Sequence, residues 1–354
     1  NWLPTVKGKF VMISMNQPTG RPDDNWKQFA TSTSFEKLKK ERDEQTDAWQ
    51  KRIRKTGYSS RMLPIILEKA GAKGILTNNW SSGFGVDKIF SAYTSKIPTV
   101  DIALEDYGTL YRLVESGDNP IISIQTDSKD LGTVPNFNTI AEIKGTEKPD
   151  EYVMLSAHFD SWDGGQGATD NGTGTLTMME AMRILKASGL KPKRTIRIGL
   201  WSGEEQGLLG SSAYVEKHFA ELPPPADPKL KDLPRSLQEA PLPPVYKADH
   251  KRISAYYNYD NGGGRIRGIY AQENLAAAEV FKQWIVPMAD IGVTTVTNRN
   301  TGSTDHIPFD RVGIPGFQFV QDNLDYFTHV HHTHLDGLDH LQAEDLRQSA
   351  VVVA

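Results

Sequence analysis

The stretch EYVMLSAHFDSWDGGQGATDNGTGTLTMMEAMRILKASG, residues 151–189, decides the fold of this chain. Its first apolar run predicts a strand, its glycine-rich part a loop, and its periodic apolar residues a helix that ends at Gly189. The same order of elements then recurs, as strand TIRIGLWSG, helix GLLGSSAYVEKHF, strand RISAYYNYD, helix ENLAAAEVFKQWIVPMAD and strand IPGFQFVQ. This alternation predicts an α/β fold with a mixed, mostly parallel sheet flanked by helices.

A different pattern precedes that stretch. Residues 1–128 contain four short β-type runs and one amphipathic helix, in chain order KGKFVMISM, RMLPIILEKAG, AKGILTNN, IPTVDIAL and NPIISIQT. We therefore predict a smaller, β-rich domain over 1–128 and a larger domain over 129–354, with DLGTVPNFN as the linker. The mixed charges of FEKLKKERDEQTDAWQKRIRKTG are typical of a solvated helix rather than a docking surface. The proline-rich segment 221–247 predicts a surface excursion.

Composition limits the classes of function. The chain has 354 residues, and its 40 basic side chains nearly balance its 44 acidic ones. This balance argues against a nucleic-acid or membrane-surface partner. No apolar run approaches the roughly 20 residues that span a bilayer. Cysteine is absent, so His, Asp and Glu would have to hold any metal. The sequence begins with Asn1 rather than Met, as a processed chain would.

Charged residues follow the predicted strands where each strand ends. In open α/β sheets, ligands bind outside the carboxyl ends of the strands. Each residue alone has an ordinary explanation, such as an exposed loop or a first helical turn, but together they converge on one edge of one sheet. Imidazoles and carboxylates without sulfur suit Zn, Mn or Co, and two metals that share a bridging carboxylate would use them all. The residues are His158, Asp160, Asp170, Glu204, Glu205, Asp260 and His332.

These motifs resemble a known family. Their order, HxD, GATDNGTG, WSGEEQGLLGS, YNYDNGG and HHTHLD, is similar to that of the co-catalytic zinc exopeptidases of the M28 type. The resemblance covers roughly residues 137–354, and HHTHLD is particularly similar to the plasma glutamate carboxypeptidase (carboxypeptidase Q) subgroup. Residues 1–128 resemble the protease-associated domain of the larger members. The resemblance implies a secreted or periplasmic hydrolase with the zinc exopeptidase fold and two zinc ions per protomer.

The resemblance also implies a role for each residue of the metal site. His158 and Asp260 would hold one zinc ion, Glu205 and His332 the other, and Asp170 would bridge the two. Manganese or cobalt would suit the same ligands.

Two further acidic residues would act beside the metals. Asp160 would accept a hydrogen bond from the second ring nitrogen of His158 and orient the ring. Glu204 would be the general base, because it precedes a ligand by one residue and can take a proton from water without binding a metal.

Candidates for substrate contact are Asp305 and His306 in GSTDHIPFD, Tyr326 as an oxyanion donor, and Arg265 with Arg267 for a substrate carboxylate. Each also has a plain structural explanation. We expect a short peptide substrate, with the choice of chain end and a homodimer left open. Two alternatives remain: a related zinc amidohydrolase or cyclase, and a receptor-like binding protein. Retention of all the motif residues argues against the receptor.

Overall fold

The computed structural model describes residues 2–90, 92–129, 131–223 and 243–354. The chain forms two compact units. The first comprises Asn1–Gly132 with Phe327–Leu335, and the second comprises Thr133–Tyr326 with Asp336–Ala354. The first division falls close to the predicted boundary at residue 128. The segment Phe327–Leu335, which the sequence assigned to the larger domain, belongs instead to the first unit.

The first unit is built on a small parallel sheet. Its strands lie in the order β1 (Phe10–Met12), β2 (Gly74–Thr77) and β3 (Thr99–Asp101). Its helices are α1 (Asp23–Phe29), α2 (Ser32–Lys55), α3 (Leu63–Lys69) and α4 (Leu104–Glu115). Leu67 and Ile75 are fully buried in its apolar core. Three of the four predicted strands and the amphipathic helix are therefore confirmed. The β-rich character predicted for this domain is wrong, because the helices of its described part contain more residues than the strands.

The fourth predicted strand, NPIISIQT, is wrong. Residues 119–126 have no regular secondary structure, and Ile121 is 98% exposed. Its β-branched apolar residues fit a strand, but a strand also needs a neighbour for its backbone hydrogen bonds. In the described part of the first unit, only β1, β2 and β3 pair as a sheet.

The charged segment after α1 is the long helix α2, as its pattern predicted. Thr31 caps the helix, since its side chain accepts a hydrogen bond from the backbone N–H of Ser34. Of its 24 residues, only Leu38 and Ile53 are buried. Such a helix is largely solvated, which agrees with its mixed charges.

The second unit contains one large mixed sheet. In spatial order its strands are β11 (Thr295–Thr297), β10 (Ile266–Tyr270), β12 (Gly316–Gln321), β9 (Ile253–Asn258), β5 (Lys148–His158), β6 (Arg194–Trp201) and β4 (Thr139–Ile143). Two neighbouring pairs, β10 with β12 and β4 with β6, are antiparallel, and the other four pairs are parallel. The predicted mixed, mostly parallel sheet is confirmed.

Helices cover both faces of this sheet. They are α5 (Thr173–Ala187), α6 (Leu209–His218), α7 (Leu275–Trp284), α8 (Ile307–Asp310) and α9 (Ala343–Val353). Alternate residues of a strand point to opposite faces. Leu155 accordingly packs in one apolar cluster with Met178 of α5, whereas Met154 packs in a second cluster with Val215 of α6. Two buried layers thus hold the strand ends in fixed positions.

Several elements differ from the sequence predictions. Strands β4, β10 and β11 were not predicted. Strand β4 is largely exposed and β11 has only three residues, whereas in β10 Arg267 and Gly268 interrupt the apolar residues. The helix predicted over 273–290 is shorter, since α7 ends at Trp284 and a 3-10 turn, Val286–Ile291, contains Pro287. A proline ring obstructs the preceding helical turn and donates no N–H.

Most of the proline-rich segment, residues 224–242, lies outside the described residues. At its two ends, the short strands β7 (Ala220–Glu221) and β8 (Val245–Tyr246) pair antiparallel.

Among the helices of the described ranges, none has the length and apolarity that crossing a bilayer requires.

Candidate metal site

The central strands bring the predicted residues to one edge of the sheet. His158, the last residue of β5, pairs with Trp201 at the end of β6, and Ser156 pairs with Asn258 of β9. Since β5, β6 and β9 run parallel, their carboxyl ends lie side by side. Asp260 follows β9 by two residues and therefore lies level with His158.

His158 is buried, with 1% of its side chain exposed, and carboxylates surround its ring. Its Nε2 lies 3.3 Å from Oδ1 of Asp260 and 3.4 Å from Oδ1 of Asp170. Its Nδ1 lies 3.0 Å from the main-chain oxygen of Asp160, so Nδ1–H can donate there while Nε2 faces the two carboxylates. A ring nitrogen facing two carboxylate oxygens needs a proton or a cation between them.

Asp160 orients the ring of His158, but not in the predicted way. The main-chain oxygen of Asp160 is the close partner, whereas the carboxylate lies 3.6 Å from Nδ1. The carboxylate instead accepts hydrogen bonds from the backbone N–H groups of Glu204 at 3.2 Å and Glu205 at 3.3 Å. The physical reason is that the loop after β6 presents two N–H donors to this anion. Asp160 thereby holds both the imidazole and the Glu204 loop.

The other acidic residues complete two overlapping groups. One side-chain ligand atom from each of His158, Asp170 and Glu205 lies within 4.8 Å of the others, and the same is true of His158, Glu204 and Asp260. Asp170 lies in the loop before α5 and is buried. The donor set is nitrogen and oxygen without sulfur, which is the chemistry of zinc, manganese or cobalt sites. The residues therefore fit a pair of divalent cations.

Burial and the close spacing of the carboxylates shift the pKa values of the site residues. Burial raises the pKa of Glu204 well above its usual range; His158 opposes this shift, and Asp260, Asp305 and Glu205 add to it. Burial alone would lower the pKa of His158, but Asp260, Asp160 and Asp170 outweigh it and raise that pKa well above its usual range. Positive charge is what this cluster favours most.

Two residues of the site were missed from the sequence. Asp336 is buried, and its carboxylate accepts hydrogen bonds from the backbone N–H groups of Thr169 and Asp170. Asn171 donates from its side chain to the main-chain oxygen of Tyr259, next to Asp260. The available signals were the final acidic residue of HHTHLD and the residue directly after Asp170.

His332 lies in the segment Phe327–Leu335 of the first unit. Its main-chain oxygen accepts a hydrogen bond from the N–H of Ile89 at 2.7 Å, and the ring of Phe90 meets its imidazole edge-on at 5.0 Å. Lys88 forms a β-bridge with Thr333, and its ammonium donates to the main-chain oxygen of His331. The first unit thus fixes the backbone around His332, whose role as a metal ligand stays a prediction.

Of the predicted substrate contacts, the structure buries Asp305 and His306 completely. Asp305 accepts a hydrogen bond from Ser211 at 2.5 Å, and burial raises its pKa to about 7. His306 lies 3.0 Å from the main-chain oxygen of Thr301. Direct contact with a substrate is therefore not supported for either residue, because their polar atoms lie inside the second unit.

The predicted cationic contacts are also engaged elsewhere. Arg265 donates to Asp345 at 2.6 Å, and Arg267 donates to Asp322 at 2.9 Å. These ion pairs correct the prediction that either arginine is held ready for a substrate carboxylate.

Tyr326, the predicted oxyanion donor, lies in the second unit, and its role stays a prediction. It is buried, and its pKa is raised well above the usual range by burial and by Asp170, Asp260, Glu205 and Glu204. Its ring packs on Gly262, where a Cβ atom would lie 2.7 Å from ring carbons. A neutral phenol therefore lies beside the carboxylate cluster.

Comparisons with known proteins agree on one family. Residues 138–354 match Peptidase family M28. Carboxypeptidase Q of Rattus norvegicus is 32% identical over 259 residues, which are 73% of this chain and 48% of that protein. Aminopeptidase YwaD of Bacillus subtilis (strain 168) is 29% identical over 289 residues, 81% of this chain and 56% of that protein. The chain thus spans about half the length of the curated relatives it matches.

Solved structures show the same fold. A peptidase M28 precursor from Shewanella amazonensis superposes with a TM-score of 0.66 at 27% identity, covering 82% of this chain and 60% of the other. BSAP, a zinc aminopeptidase from Bacillus subtilis, gives a TM-score of 0.52 at 22% identity and covers 83% of this chain and 65% of its own. The second likeness concerns the fold alone.

Proposed function

The chain belongs to peptidase family M28, and from this premise we propose that it is a dizinc exopeptidase acting on dipeptides or short peptides. The observation that carries the proposal is the convergence of His158, Asp170 and Glu205 within 4.8 Å at the carboxyl edge of the sheet. Matching relatives include a carboxypeptidase and an aminopeptidase by name, so the end of the peptide that is attacked is left to experiment.

In this proposal His158 and Asp260 hold one zinc ion, Glu205 and His332 hold the other, and Asp170 contributes to both. The proximity of His158 to Asp260 and Asp170 supports the first part of this assignment. When bound, the ions would supply Lewis acidity, which polarises a carbonyl group and lowers the pKa of water.

Glu204 acts as the general base in the proposed mechanism. Its carboxylate takes a proton from the water whose oxygen attacks the peptide carbonyl carbon. It returns that proton to the amine nitrogen as the C–N bond breaks, so that one C–O bond replaces one C–N bond. Asp160 supports this role because it holds the backbone N–H groups of Glu204 and Glu205.

Tyr326 is proposed to stabilise the developing negative charge on the carbonyl oxygen. Its phenol stays protonated at neutral pH, because its pKa is raised well above the usual range. A protonated hydroxyl can donate a hydrogen bond that strengthens as the oxygen gains charge.

Metal analysis together with a substrate panel tests the function. We expect close to two zinc ions per chain, hydrolysis of dipeptides or of aminoacyl anilides, loss of activity on dialysis against chelator, and recovery with zinc. Asp163→Asn is a matched control, because Asp163 is an exposed carboxylate in the same loop as Asp160. One metal or none in a fully loaded preparation would contradict the dinuclear site, and a loaded but inert protein would favour the binding-protein alternative.

We propose further that the first unit is a protease-associated domain, and that the enzyme works outside the cytoplasm as its resemblance to the carboxypeptidase Q subgroup implies.

A homodimer is the oligomeric state to test, and sedimentation velocity of the purified chain distinguishes it from a monomer. Zinc-loaded and zinc-free protein measured side by side would show whether assembly depends on the metal.

A further inference from the structure

Asp336 lies in the second unit and makes an unusual set of contacts with the loop before α5. The residue is buried, with 3% of its surface exposed. Oδ1 accepts from the backbone N–H and the hydroxyl of Thr169, both at 2.7 Å, and Oδ2 accepts from the N–H of Asp170 at 2.9 Å. Three donors converge on one buried anion, and such charge-assisted hydrogen bonds are stronger than neutral ones.

The backbone of Asp336 is joined to the same loop. Its main-chain oxygen accepts from the N–H of Gln166 at 2.8 Å. The side chain of Gln166 in turn accepts from the N–H of Leu338 at 3.0 Å. Asp336 is therefore not a mobile side chain that meets the loop by chance, because its own backbone position is determined by the loop it holds.

A second contact fixes the other flank of Asp170. The side chain of Asn171 donates to the main-chain oxygen of Tyr259 at 2.8 Å and accepts from the N–H of Gly174 at 2.9 Å. Tyr259 directly precedes Asp260. The backbone of Asp170 is thus held by Asp336 on one side and is tied to the end of β9 on the other, which leaves its side chain little freedom of direction.

From these contacts we propose that Asp336 is a positioning residue for zinc: its carboxylate sets the backbone at Asp170, so that the Asp170 side chain is aimed at the metals. This inference rests on the proposed function, in which Asp170 contributes to both ions. Groups that orient a metal ligand without touching the metal typically change affinity or activity by about 10-fold to 100-fold when replaced. Asp336 acts through the backbone of the ligand.

The test is Asp336→Asn compared with Thr169→Val. In Asp336→Asn, the remaining oxygen can still accept from Thr169, but the new NH₂ group faces the N–H of Asp170, so that one hydrogen bond is replaced by two opposed donors. In Thr169→Val, a hydrogen bond to the same carboxylate is lost while the bond to Asp170 remains. The two variants disturb the same buried carboxylate but differ in their effect on Asp170.

Three quantities are measured for the full chain: zinc dissociation constants by chelator competition, the melting temperature without zinc, and kcat with KM. We expect both variants to melt at lower temperature, and only Asp336→Asn to bind zinc about tenfold more weakly, with kcat lowered more than KM is raised. If Asp336→Asn does not fold, Asn171→Ala, on the other flank of Asp170, should weaken zinc binding in the same way.

The outcomes separate this inference from the function it rests on. A parent protein that binds no zinc contradicts the proposed function itself. A parent that binds two zinc ions, with equal zinc affinities for Asp336→Asn and Thr169→Val, overturns the positioning role and leaves the function intact. If Asn171→Ala is needed, zinc affinity equal to that of the parent overturns the role as well.

Discussion

At the scale of single residues, the carboxylates of Asp160, Asp336 and Glu204 have the same chemistry but different surroundings, and the surroundings determine their roles. The carboxylate of Asp160 accepts hydrogen bonds from two backbone N–H groups, and that of Asp336 accepts one from the backbone N–H of Asp170. Glu204 lies buried among other acidic residues. Against burial, His158 and the two backbone donors lower the pKa of Asp160. Burial raises the pKa of Asp336 despite its donors, and it raises that of Glu204 well above its usual range. Glu204, whose pKa is shifted furthest upward by burial and neighbouring acids, is suited to exchange a proton during a reaction.

Glu204→Gln tests this division. Glutamine keeps the shape of the side chain and leaves Glu205 unchanged, but it cannot accept the proton from water. We expect turnover to fall by about 10² to 10⁴ with zinc content unchanged, measured by steady-state kinetics and elemental analysis. The Asp260→Ala variant, in contrast, should contain less zinc than the parent, because a proposed zinc ligand is removed. A Glu204→Gln enzyme nearly as active as the parent would show that another group takes the proton.

The residues of the site differ in how far sequence could identify them. His158 ends a strand and Glu204 and Asp260 closely follow strands, so the rule that parallel strands end at one edge was enough to bring them together. Asp336 and Asn171 could not be assigned a role, because their partners are Asp170 and Tyr259 and these contacts depend on how loops pack. Sequence spacing carries no information about contacts of that kind.

At the scale of elements, the short strand β3 ends in a partly buried carboxylate with a testable effect on stability. Asp101 accepts hydrogen bonds from the hydroxyl of Thr77 at 2.9 Å, the backbone N–H of Asn79 at 3.0 Å and that of Lys88 at 3.1 Å. Burial nevertheless raises its pKa to about 6, which these hydrogen bonds only partly offset. The group therefore binds a proton more tightly in the folded state than in the unfolded chain.

The sign of the pH dependence follows from this difference. The stabilising contribution of Asp101 is fully present below about pH 4, the ordinary aspartate pKa, and is lost as the pH rises through about 6. Over that interval we expect Asp101 to remove up to about 3 kcal/mol from the free energy of unfolding. Asp101→Asn should flatten this part of the profile, measured by urea denaturation from pH 4 to 7. The exposed control Asp118→Asn should keep the parental slope, and equal slopes for all three proteins would refute the effect.

Elements with strong patterns were the predictable ones. Strands β5, β6 and β9 are apolar runs bounded by turns, and α2 carries its charges at helical spacing. The strand predicted over 119–126 was also a short apolar run but has no partner, which shows that a strand is a property of a pair rather than of one segment. Strands β4 and β11 show the opposite case. Their sequences did not predict a strand, but each pairs with a neighbouring strand in the structure.

At the scale of the whole molecule, substrate size is the property to test. As a proposed exopeptidase, the enzyme should need a free chain end and should leave peptides that are blocked at both ends intact. We expect an unblocked ten-residue peptide to lose single residues stepwise from one end in a mass-spectrometric time course. The same peptide with both ends blocked is the matched control. Early internal fragments would contradict exopeptidase action.

The return of Phe327–Leu335 to the first unit has a consequence for recombination between relatives. Two of its nine residues, Thr333 and His332, pair through their backbone with Lys88 and Ile89, roughly two thirds of the chain length away in sequence. An exchange of Asn1–Gly132 alone would place this segment against a foreign surface. A viable chimera should take both pieces from one parent, and in natural descendants we expect substitutions in the two pieces to accumulate as correlated pairs.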